Sequence, residues 1–355
     1  MRHFGHIALL GAVLAGTAFL LACSSRRMAV PETSGAAEYA RYFDLVPEGE
    51  GWAIVSLSPY DGTADTLHVA EPMGRIVCMS TSHVGFLDAI GADSVIVAVS
   101  GCAFVSSPRV QKRIAAGEVL EAGYDAAPAL ESLVSAYPDL VLCYSLGDSV
   151  FEDQLRALGL RVFTLYEHLE SHPLARAEYV RLFGALTGRS SVADSLFAAV
   201  RDNYLALAVD TETEPKKVLL NLPYAGQWFI PGAESYMAQL IRDAGGEVLG
   251  AEAGTAQSAV ISIEKAYELS QEADFWLNAG SVRTLEQLQQ ENAAFSAFPV
   301  ARPGHVFTND RRCTPAGGND FWESGAVRPD RVLADLINIF AAAPDSLLFY
   351  YRSVR

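Results

Sequence analysis

Several motifs that mark common enzymes and metal proteins are missing from this sequence. It has no Cys-x-x-Cys pair, which argues against a zinc–thiolate site. It also lacks the Gly-x-Ser-x-Gly turn of serine hydrolases, the phosphate-binding loop of nucleotide hydrolases, and a Gly-x-Gly-x-x-Gly turn between a strand and a helix. These absences argue against an enzyme built on a doubly wound scaffold.

Basic residues are scarce as well. The chain has 26 Lys and Arg against 42 Asp and Glu, a formal net charge of −16. A charge of this sign argues against binding nucleic acid or binding an anionic membrane surface directly. Half of the residues are hydrophobic, so the chain is expected to fold around a substantial core.

The one long hydrophobic run lies at the N-terminus and ends at a cysteine. Arg2 precedes an apolar stretch from Ile7 to Ala22. This stretch is shorter than a transmembrane helix, which needs about 20 apolar residues and flanking residues on either side. We interpret residues 1–22 as a signal peptide. Leu20-Leu21-Ala22-Cys23 resembles the lipobox of bacterial lipoproteins, which implies lipidation of Cys23 and a location on the periplasmic side of a membrane. The alternative is an ordinary signal peptide followed by a chance cysteine.

The remaining cysteines do not point to a metal. Cys78 and Cys143 lie within apolar runs, where we expect them to be buried as small hydrophobic residues. Cys102 and Cys313 have no close cysteine neighbour. The compartment allows a disulfide, but the sequence does not define a pairing.

The rest of the chain divides into five regions. Residues 23–44 are expected to form a tether and residues 45–74 a hairpin extension turning at Asp61-Gly62. Short apolar runs then alternate with amphipathic stretches, which is typical of an α/β fold. We assign an N-terminal lobe to 75–174, a linking helical region to 175–212, and a C-terminal lobe with a closing helix to 213–355. The sequence does not assign a role to the hairpin.

The two lobes repeat similar sequence in the same order. Arg75-Ile-Val-Cys-Met-Ser corresponds to Lys217-Val-Leu-Leu-Asn-Leu, and Glu131 with the following Pro138-Asp-Leu-Val-Leu corresponds to Glu264 with Ala273-Asp-Phe-Trp-Leu. This repetition predicts two Rossmann-like lobes of like topology. Between them, apolar positions near a 3.6-residue period from Val192 to Val209 predict one long, rigid bridging helix capped by Ser190.

At this point the chain resembles the substrate-binding proteins of ABC importers for iron complexes and cobalamin. The resemblance covers about Gly74 to Phe340 and is most specific in the stretches that begin at Ala129, Ile261 and Gly318. It implies two lobes bridged by a rigid helix, a ligand cleft between them, no catalysis, and little lobe closure on binding. It also implies delivery of the ligand to a membrane permease by a monomeric receptor.

By motif position, the resemblance implies that Glu131 and Glu264 dock onto arginines of the permease. We expect Leu130, Leu133, Val134 and Tyr137 to form the buried face of the first of these helices, which leaves Glu131 exposed. Glu264 follows a predicted N-cap, Ser262. The alternative is purely structural, since carboxylates in a first helical turn stabilise the helix by interacting with its dipole.

Ligands of open α/β sheets bind beyond the carboxyl ends of the strands, which gives a list of candidate contacts. Tyr224, Trp228 and Trp322 offer flat surfaces for a macrocycle or an aromatic chelate, and Arg311 and Arg312 could pair with ligand carboxylates or phosphate. The alternative for each aromatic residue is a place in a lobe core. The candidates are Ser80, Thr81, His83, Phe104, Tyr144, Tyr166, Tyr224, Trp228, Asn278, Arg311, Arg312 and Trp322.

His83 has three interpretations: a helix-start residue without a ligand role, a hydrogen-bond donor, or an axial ligand of haem iron. A bare divalent metal held by His83, His168 and His305 is less favoured, because no carboxylate partner can be identified from spacing. We therefore predict capture of chelated iron, as a siderophore or haem. Cobalamin is the alternative within the same family. A divalent metal receptor and a non-transport surface lipoprotein are the less favoured readings.

Overall fold

The structure is a computed structural model that describes residues 37–124, 127–209 and 214–355. The predicted signal peptide and Cys23 lie outside the described residues. No helix within the described ranges is both long enough and apolar enough to cross a membrane.

Three antiparallel strands precede the first lobe. They are β1 (Phe43–Glu48), β2 (Gly51–Leu57) and β3 (Ala64–Val69). Trp52 pairs with Val69 in the β2–β3 hairpin, and Asp61 orders its loop by accepting hydrogen bonds from the backbone and hydroxyl of Thr63. We call these three strands the accessory sheet.

The first lobe contains a five-stranded parallel sheet. Its strands follow apolar runs bounded by polar residues, as predicted, and lie in the order β10-β9-β4-β5-β6. The strands, including the two of a short ribbon (β7 and β8), are β4 (Ile76–Cys78), β5 (Ile96–Val99), β6 (Leu120–Glu121), β7 (Gly123–Tyr124), β8 (Ala127–Pro128), β9 (Leu140–Tyr144) and β10 (Val162–Leu165). The helices are α1 (Thr81–Ala89), α2 (Pro108–Ala115), α3 (Leu130–Ser135) and α4 (Val150–Ala157).

The linking region consists of two helices, α5 (Pro173–Thr187) and α6 (Ser190–Leu207). Gly188 ends α5 in the left-handed conformation, with φ of 68°, and so separates the two. The helix that leads to the second lobe is therefore α6. Ser190 is its first helical residue rather than its cap, and the N-cap position is held by Arg189 without a side-chain hydrogen bond.

The predicted tether ends earlier than its assigned boundary, because residues 38–42 pack on α5 and its preceding turn. Buried Glu178 accepts hydrogen bonds from the backbone N–H groups of residues 38–40. Glu170 does the same for Arg41 and Tyr42. These two carboxylates hold the chain where it enters the accessory sheet.

The second lobe repeats the parallel arrangement, with strand order β13-β11-β15-β16-β17 and an antiparallel last pair. Its strands, including the β12–β14 ribbon, are β11 (Lys216–Leu220), β12 (Trp228–Ile230), β13 (Gly246–Val248), β14 (Ala259–Ile261), β15 (Phe275–Leu277), β16 (Val306–Thr308) and β17 (Arg352–Ser353). Its helices are α7 (Tyr236–Asp243), α8 (Ile263–Ser270), α9 (Leu285–Glu291), α10 (Ser324–Val327) and α11 (Pro329–Phe340). The predicted α/β fold with two Rossmann-like lobes is confirmed.

The two lobes meet through buried polar contacts. Glu323, only 2% exposed, accepts hydrogen bonds from the backbone N–H groups of Ser106 (2.6 Å) and Ser107 (2.7 Å) at the start of α2. The Thr314 hydroxyl donates to the Ala103 carbonyl at 3.1 Å. The loop after β16 therefore contacts the loop after β5, which brings carboxyl ends of strands from both lobes together.

Candidate functional site

A cavity of about 190 Å³ lies at the carboxyl ends of β4, β5 and β9. Parallel strands place their following loops at one edge of the sheet, which is why side chains distant in sequence converge here. Met79, Phe151 and the exposed Tyr144 and Leu146 make one wall apolar, and Ser100 adds a hydroxyl. We call this the strand-end cavity.

A larger cavity of about 920 Å³ separates the accessory sheet from β9, β10 and α4. Its walls include Tyr60 and Tyr166, whose rings meet edge to face at 6.2 Å. Ser145, Asp148 and Glu152 line both this cavity and the strand-end cavity, so the two are adjacent. We call this larger one the accessory cavity.

In the second lobe, Tyr224 projects from a tight turn and is 79% exposed. Tyr224 and Gln227 exchange two backbone hydrogen bonds, of 2.8 and 3.0 Å, around Ala225 and Gly226. Both central residues have positive φ, 49° and 78°, as in a type I′ turn. The ring of Tyr224 is therefore offered to solvent beyond the end of β11.

Trp228 is a correction to the predicted ligand contacts. It is 1% exposed, its Nε1 donates to the Leu220 carbonyl at 2.8 Å, and its ring stacks on Trp276 and Phe298. An aromatic residue in a loop after a strand predicts a ligand surface. The side chain instead lies on the interior face of the β12 strand, where the aromatic cluster of the second lobe shields it.

His83 is also buried rather than presented to a ligand. It is fully buried, packs against Phe183, and has its Nε2 3.6 Å from a Glu167 oxygen. Neither ring nitrogen has a hydrogen-bond partner within the described part of the chain. Of the three interpretations, the helix-start residue without a ligand role fits this position, because α1 turns the side chain towards α5.

The other polar candidates after β4 form a helix cap. Ser80 is the N-cap of α1 and accepts a hydrogen bond from the Ser82 backbone, while the Ser82 hydroxyl donates to Glu167 at 2.7 Å. Burial raises the pKa of Glu167, but the neighbouring His83, His168 and Arg176 outweigh burial and hold that pKa well below its usual range. Ser80 and Thr81 remain partly exposed at this edge.

Neither Arg311 nor Arg312 lines the strand-end cavity or the accessory cavity. Arg311 donates to the Asp345 carbonyl at 2.9 Å and lines a groove of about 640 Å³ on the second lobe. Arg312 pairs with Asp320 at 2.6 Å and lies over the Phe349 ring. The loop after β16 directs these guanidinium groups towards the C-terminal segment.

Of the remaining predicted contacts, some take part in packing inside the protein and others are at least partly exposed at its surface. Asn278 accepts a hydrogen bond from the Tyr351 hydroxyl at 3.0 Å. The Phe104 backbone packs so closely on Gly318 that a Cβ there would clash with the Phe104 carbonyl, so Gly318 is needed at this lobe contact. Trp322 is 44% exposed, and Tyr166 is partly exposed in the accessory cavity.

Sequence reasoning missed several residues that line the cavities. Tyr60 lies in the loop between β2 and β3, outside the resemblance, and no sequence motif singles out Glu152. Leu146 could have been found, because it is a hydrophobic residue in the loop directly after β9. Phe151 follows it at the start of α4, where it packs towards the same cavity.

The structure does not favour a metal site among the residues it describes. No group of three or more His, Cys, Asp or Glu side chains in those ranges is placed to hold an ion. Cys78, Cys102, Cys143 and Cys313 are free, and burial raises the pKa of each thiol, to about 12 for Cys102. These thiols are therefore protonated at neutral pH and unsuited to bind a metal as thiolates.

Glu131 and Glu264 are both exposed in first helical turns, of α3 and α8. Ser262 caps α8 as predicted, and its hydroxyl contributes most to lowering the pKa of Glu264. The expected buried face of α3 is wrong in part. Leu133 is buried, but Val134 is 41% and Tyr137 is 79% exposed, because α3 ends at Ser135 and Tyr137 turns outward with φ of 45°.

Comparison with known proteins gives a family and several relatives. The family model described as periplasmic binding protein matches residues 76–312. An uncharacterized lipoprotein of Methanocaldococcus jannaschii is 27% identical over 279 residues, which are 76% of this chain and 65% of that protein. A second uncharacterized lipoprotein of the same organism is 26% identical, over 88% of this chain and 86% of the relative.

Solved structures with the same fold include three of bacterial origin. A periplasmic binding protein of Veillonella parvula aligns with a TM-score of 0.61 and 18% identity, covering 81% of this chain and 98% of that one. A periplasmic heme binding protein of Pseudomonas aeruginosa gives 0.59 and 19%, with coverage of 80% and 98%. The triscatecholate siderophore binding protein of Bacillus subtilis gives 0.58 and 16%, with coverage of 79% and 96%.

Proposed function

Because the chain belongs to the periplasmic binding protein family, we propose that it captures an iron chelate, a siderophore or haem, and delivers it to the permease of an ABC importer. Members of this family are substrate-binding proteins and not enzymes, in agreement with the missing catalytic motifs. Cobalamin is the alternative ligand. The solved relatives named for haem and siderophore binding support the iron chelate.

The observation that carries the proposal is the strand-end cavity with its exposed aromatic edge. Tyr144 is 43% exposed and Leu146 is 76% exposed where solvated polar residues would be more stable, and Tyr224 projects from the second lobe. Exposed aromatic and aliphatic side chains around a concave surface are typical of sites for large, partly apolar ligands. We propose that Tyr144, Leu146 and Tyr224 contact the chelate.

This ligand assignment is tested by titrating the purified protein with haem, cyanocobalamin and a panel of ferric siderophores while following tryptophan fluorescence. Trp322 is half-exposed and should report a coloured ligand, whereas Trp228 and Trp276 are shielded in the core. Tyr144→Ala and Tyr224→Ala should each weaken binding about tenfold, a loss of about 1.4 kcal/mol. Tyr137→Ala is the matched control, because Tyr137 is as exposed as Tyr224 but lies beside α3. Saturable quenching by none of these ligands would overturn the assignment.

We further propose that Glu131 and Glu264 dock onto arginines of the permease. One exposed carboxylate on each lobe suits recognition by two separate guanidinium groups. The double variant Glu131→Arg/Glu264→Arg should abolish uptake by cells and leave the ligand dissociation constant unchanged. Glu286→Arg is the control, since Glu286 is another exposed first-turn glutamate, in α9. Normal uptake by the double variant would contradict this docking.

Two features of the receptor follow from its family and its linking helix. We propose that Cys23 carries the lipid that holds the protein on the periplasmic side of a membrane, so that Cys23→Ser should release it into the soluble fraction.

The protein should act as a monomer, and α6 should limit lobe closure, because its 18 residues form one helix. Solution scattering that shows a large compaction on ligand binding would contradict limited closure.

A further inference from the structure

The accessory cavity has a strongly acidic wall that the proposed function does not use. Asp61, Asp65, Asp148 and Glu152 line it, and Arg156 is its one basic residue. The guanidinium of Arg156 pairs with Asp153 at 2.9 Å, and although it attracts the Glu152 carboxylate it is outnumbered by the four carboxylates of the wall. A cavity with this balance favours a positively charged occupant.

The burial of Glu152 makes this wall different from an ordinary acidic surface exposed to solvent. The residue is only 4% exposed, yet it lines both the accessory cavity and the strand-end cavity. Within the described part of the chain no other residue donates a hydrogen bond to its carboxylate, and no cation lies within ion-pair distance. Burying a carboxylate without a partner is costly, and burial accordingly raises the pKa of Glu152. A cation in either cavity would relieve that cost.

Two aromatic rings complete the site. Tyr60 is held by a hydrogen bond from its hydroxyl to the Ser145 carbonyl (3.2 Å), and it meets Tyr166 edge to face. Rings fixed beside carboxylates attract an ammonium group through their negatively charged faces. The carboxylates do not cluster closely enough to hold a metal ion, so an organic cation fits better than a metal.

From the buried unpartnered Glu152, the acidic wall and the fixed Tyr60 and Tyr166, we propose that the accessory cavity binds an ammonium group of a small organic compound. The ammonium group can belong to a free compound or to a charged arm of the transported chelate, since Glu152 lies between the two cavities. The free-compound case does not depend on the proposed function, whereas the chelate-arm case rests on it.

The first experiment titrates the purified protein with choline by calorimetry, with 3,3-dimethylbutan-1-ol as the uncharged compound of the same shape. Choline should bind saturably and the alcohol at least tenfold more weakly. Glu152→Gln keeps the shape of the side chain and should weaken choline binding at least tenfold, and Asp65→Asn, at an exposed strand position, about threefold. Glu286→Gln is the control, because Glu286 is an exposed glutamate of α9 that does not line the cavity.

The second experiment separates the two sources of the ammonium group. Ferrioxamine B, which carries a terminal ammonium, is compared with its N-acetylated neutral form in the wild-type protein and in Glu152→Gln. A preference for the charged form that disappears in Glu152→Gln supports the chelate arm. Choline binding that depends on Glu152 supports a free compound, even where no chelate binds. If neither probe depends on Glu152, the inference is overturned, while chelate binding without charge preference leaves the proposed function standing.

Discussion

The two lobes share a sheet topology but differ in what lies beneath the carboxyl ends of their strands. In the first lobe, Glu167 is buried beside His83 and close to Arg176. In the second lobe, Trp228 and Trp276 stack with centroids 5.7 Å apart. A buried carboxylate packs near the sheet of the first lobe, and stacked aromatic rings pack near the sheet of the second. Two lobes with a similar sheet topology therefore have different interiors.

This difference determines which aromatic side chains of each lobe are accessible. Trp228 is buried in the interior of the second lobe, whereas Tyr224 projects into solvent. Tyr144 and Phe151 of the first lobe, together with Tyr60 of the β2–β3 loop, lie around two cavities instead. The first lobe is therefore the richer surface for recognition.

The largest effect is expected when the aromatic support of the second lobe is removed. Trp228→Ala should lower the free energy of unfolding by about 4 kcal/mol, because it opens a cavity within the ring stack and leaves the Leu220 carbonyl without its donor. Urea unfolding of the variant and the wild type measures this loss. Tyr224→Ala, at a 79% exposed position, is the control and should change the free energy little. Equal stability of Trp228→Ala and wild type would contradict the comparison.

A slightly smaller effect is expected from the buried charge of the first lobe, and it should depend on pH. Glu167→Gln should cost about 3 kcal/mol near neutral pH, because the Arg176 guanidinium loses a nearby buried carboxylate and the Ser82 hydroxyl loses a charged acceptor. Since the folded-state pKa of Glu167 is lowered, its stabilisation is present above the usual carboxyl pKa of 4.5 and is lost as pH falls below it.

Unfolding by urea at pH 7 and at pH 4 measures this dependence. The difference in free energy of unfolding between wild type and Glu167→Gln should be smaller at pH 4 than at pH 7. The loss of unfolding free energy in Trp228→Ala should be nearly the same at both pH values. If the difference in free energy of unfolding between wild type and Glu167→Gln does not change with pH, the charge of Glu167 does not stabilise the first lobe. Packing alone would then stabilise the first lobe, as it does the second.

The two helices that carry Glu131 and Glu264 allow a finer comparison. The Ser262 hydroxyl caps α8, whereas α3 has Ala129 at the same position and no side-chain cap. Ser262→Ala should therefore destabilise the protein by about 1 kcal/mol, measured by thermal unfolding. Ser135→Ala removes an exposed hydroxyl at the C-terminal end of α3, where it does not cap the helix N-terminus, and serves as control. A larger loss in the control than in Ser262→Ala would argue against the capping role.

The smallest effect concerns the turn that presents Tyr224. Ala225 has φ of 49° in a turn whose first central position favours Gly or Asn. Ala225→Gly should stabilise the protein by about 0.5 kcal/mol, because glycine adopts this conformation without steric cost. Ala233→Gly, at a position without positive φ, should not stabilise. A loss of stability in Ala225→Gly would mean that the turn relaxes without strain.

Much of the fold could be predicted because its signals are local. Apolar runs bounded by polar residues located β4, β9, β11 and β15, and the glycines at 91 and 159 end helices with positive φ. Ser107-Pro108 could also have identified α2, since a capping serine before proline is typical of a helix start. The short strand β12 left no such signal.

The candidate site was less predictable, because accessibility is decided by packing between distant elements. Trp228 and Tyr224 lie four residues apart in one loop, yet one is 1% exposed and the other 79%. Nothing in the residue types separates them. Arg311 and Arg312 likewise follow a strand end, but neither lines the strand-end cavity or the accessory cavity.

The sequence by itself determined the order of strands and helices, the division into two lobes and the exposed glutamates of α3 and α8, because hydrophobic periodicity and capping act over a few neighbouring residues. Only the tertiary structure decided which strand-end side chains face a cavity. It buried His83 with Glu167, stacked Trp228 on Trp276, and set the accessory sheet against α4 so that Glu152 lies between two cavities. Burial and charge pairing depend on residues far apart in the chain, and a linear pattern does not record which of them meet.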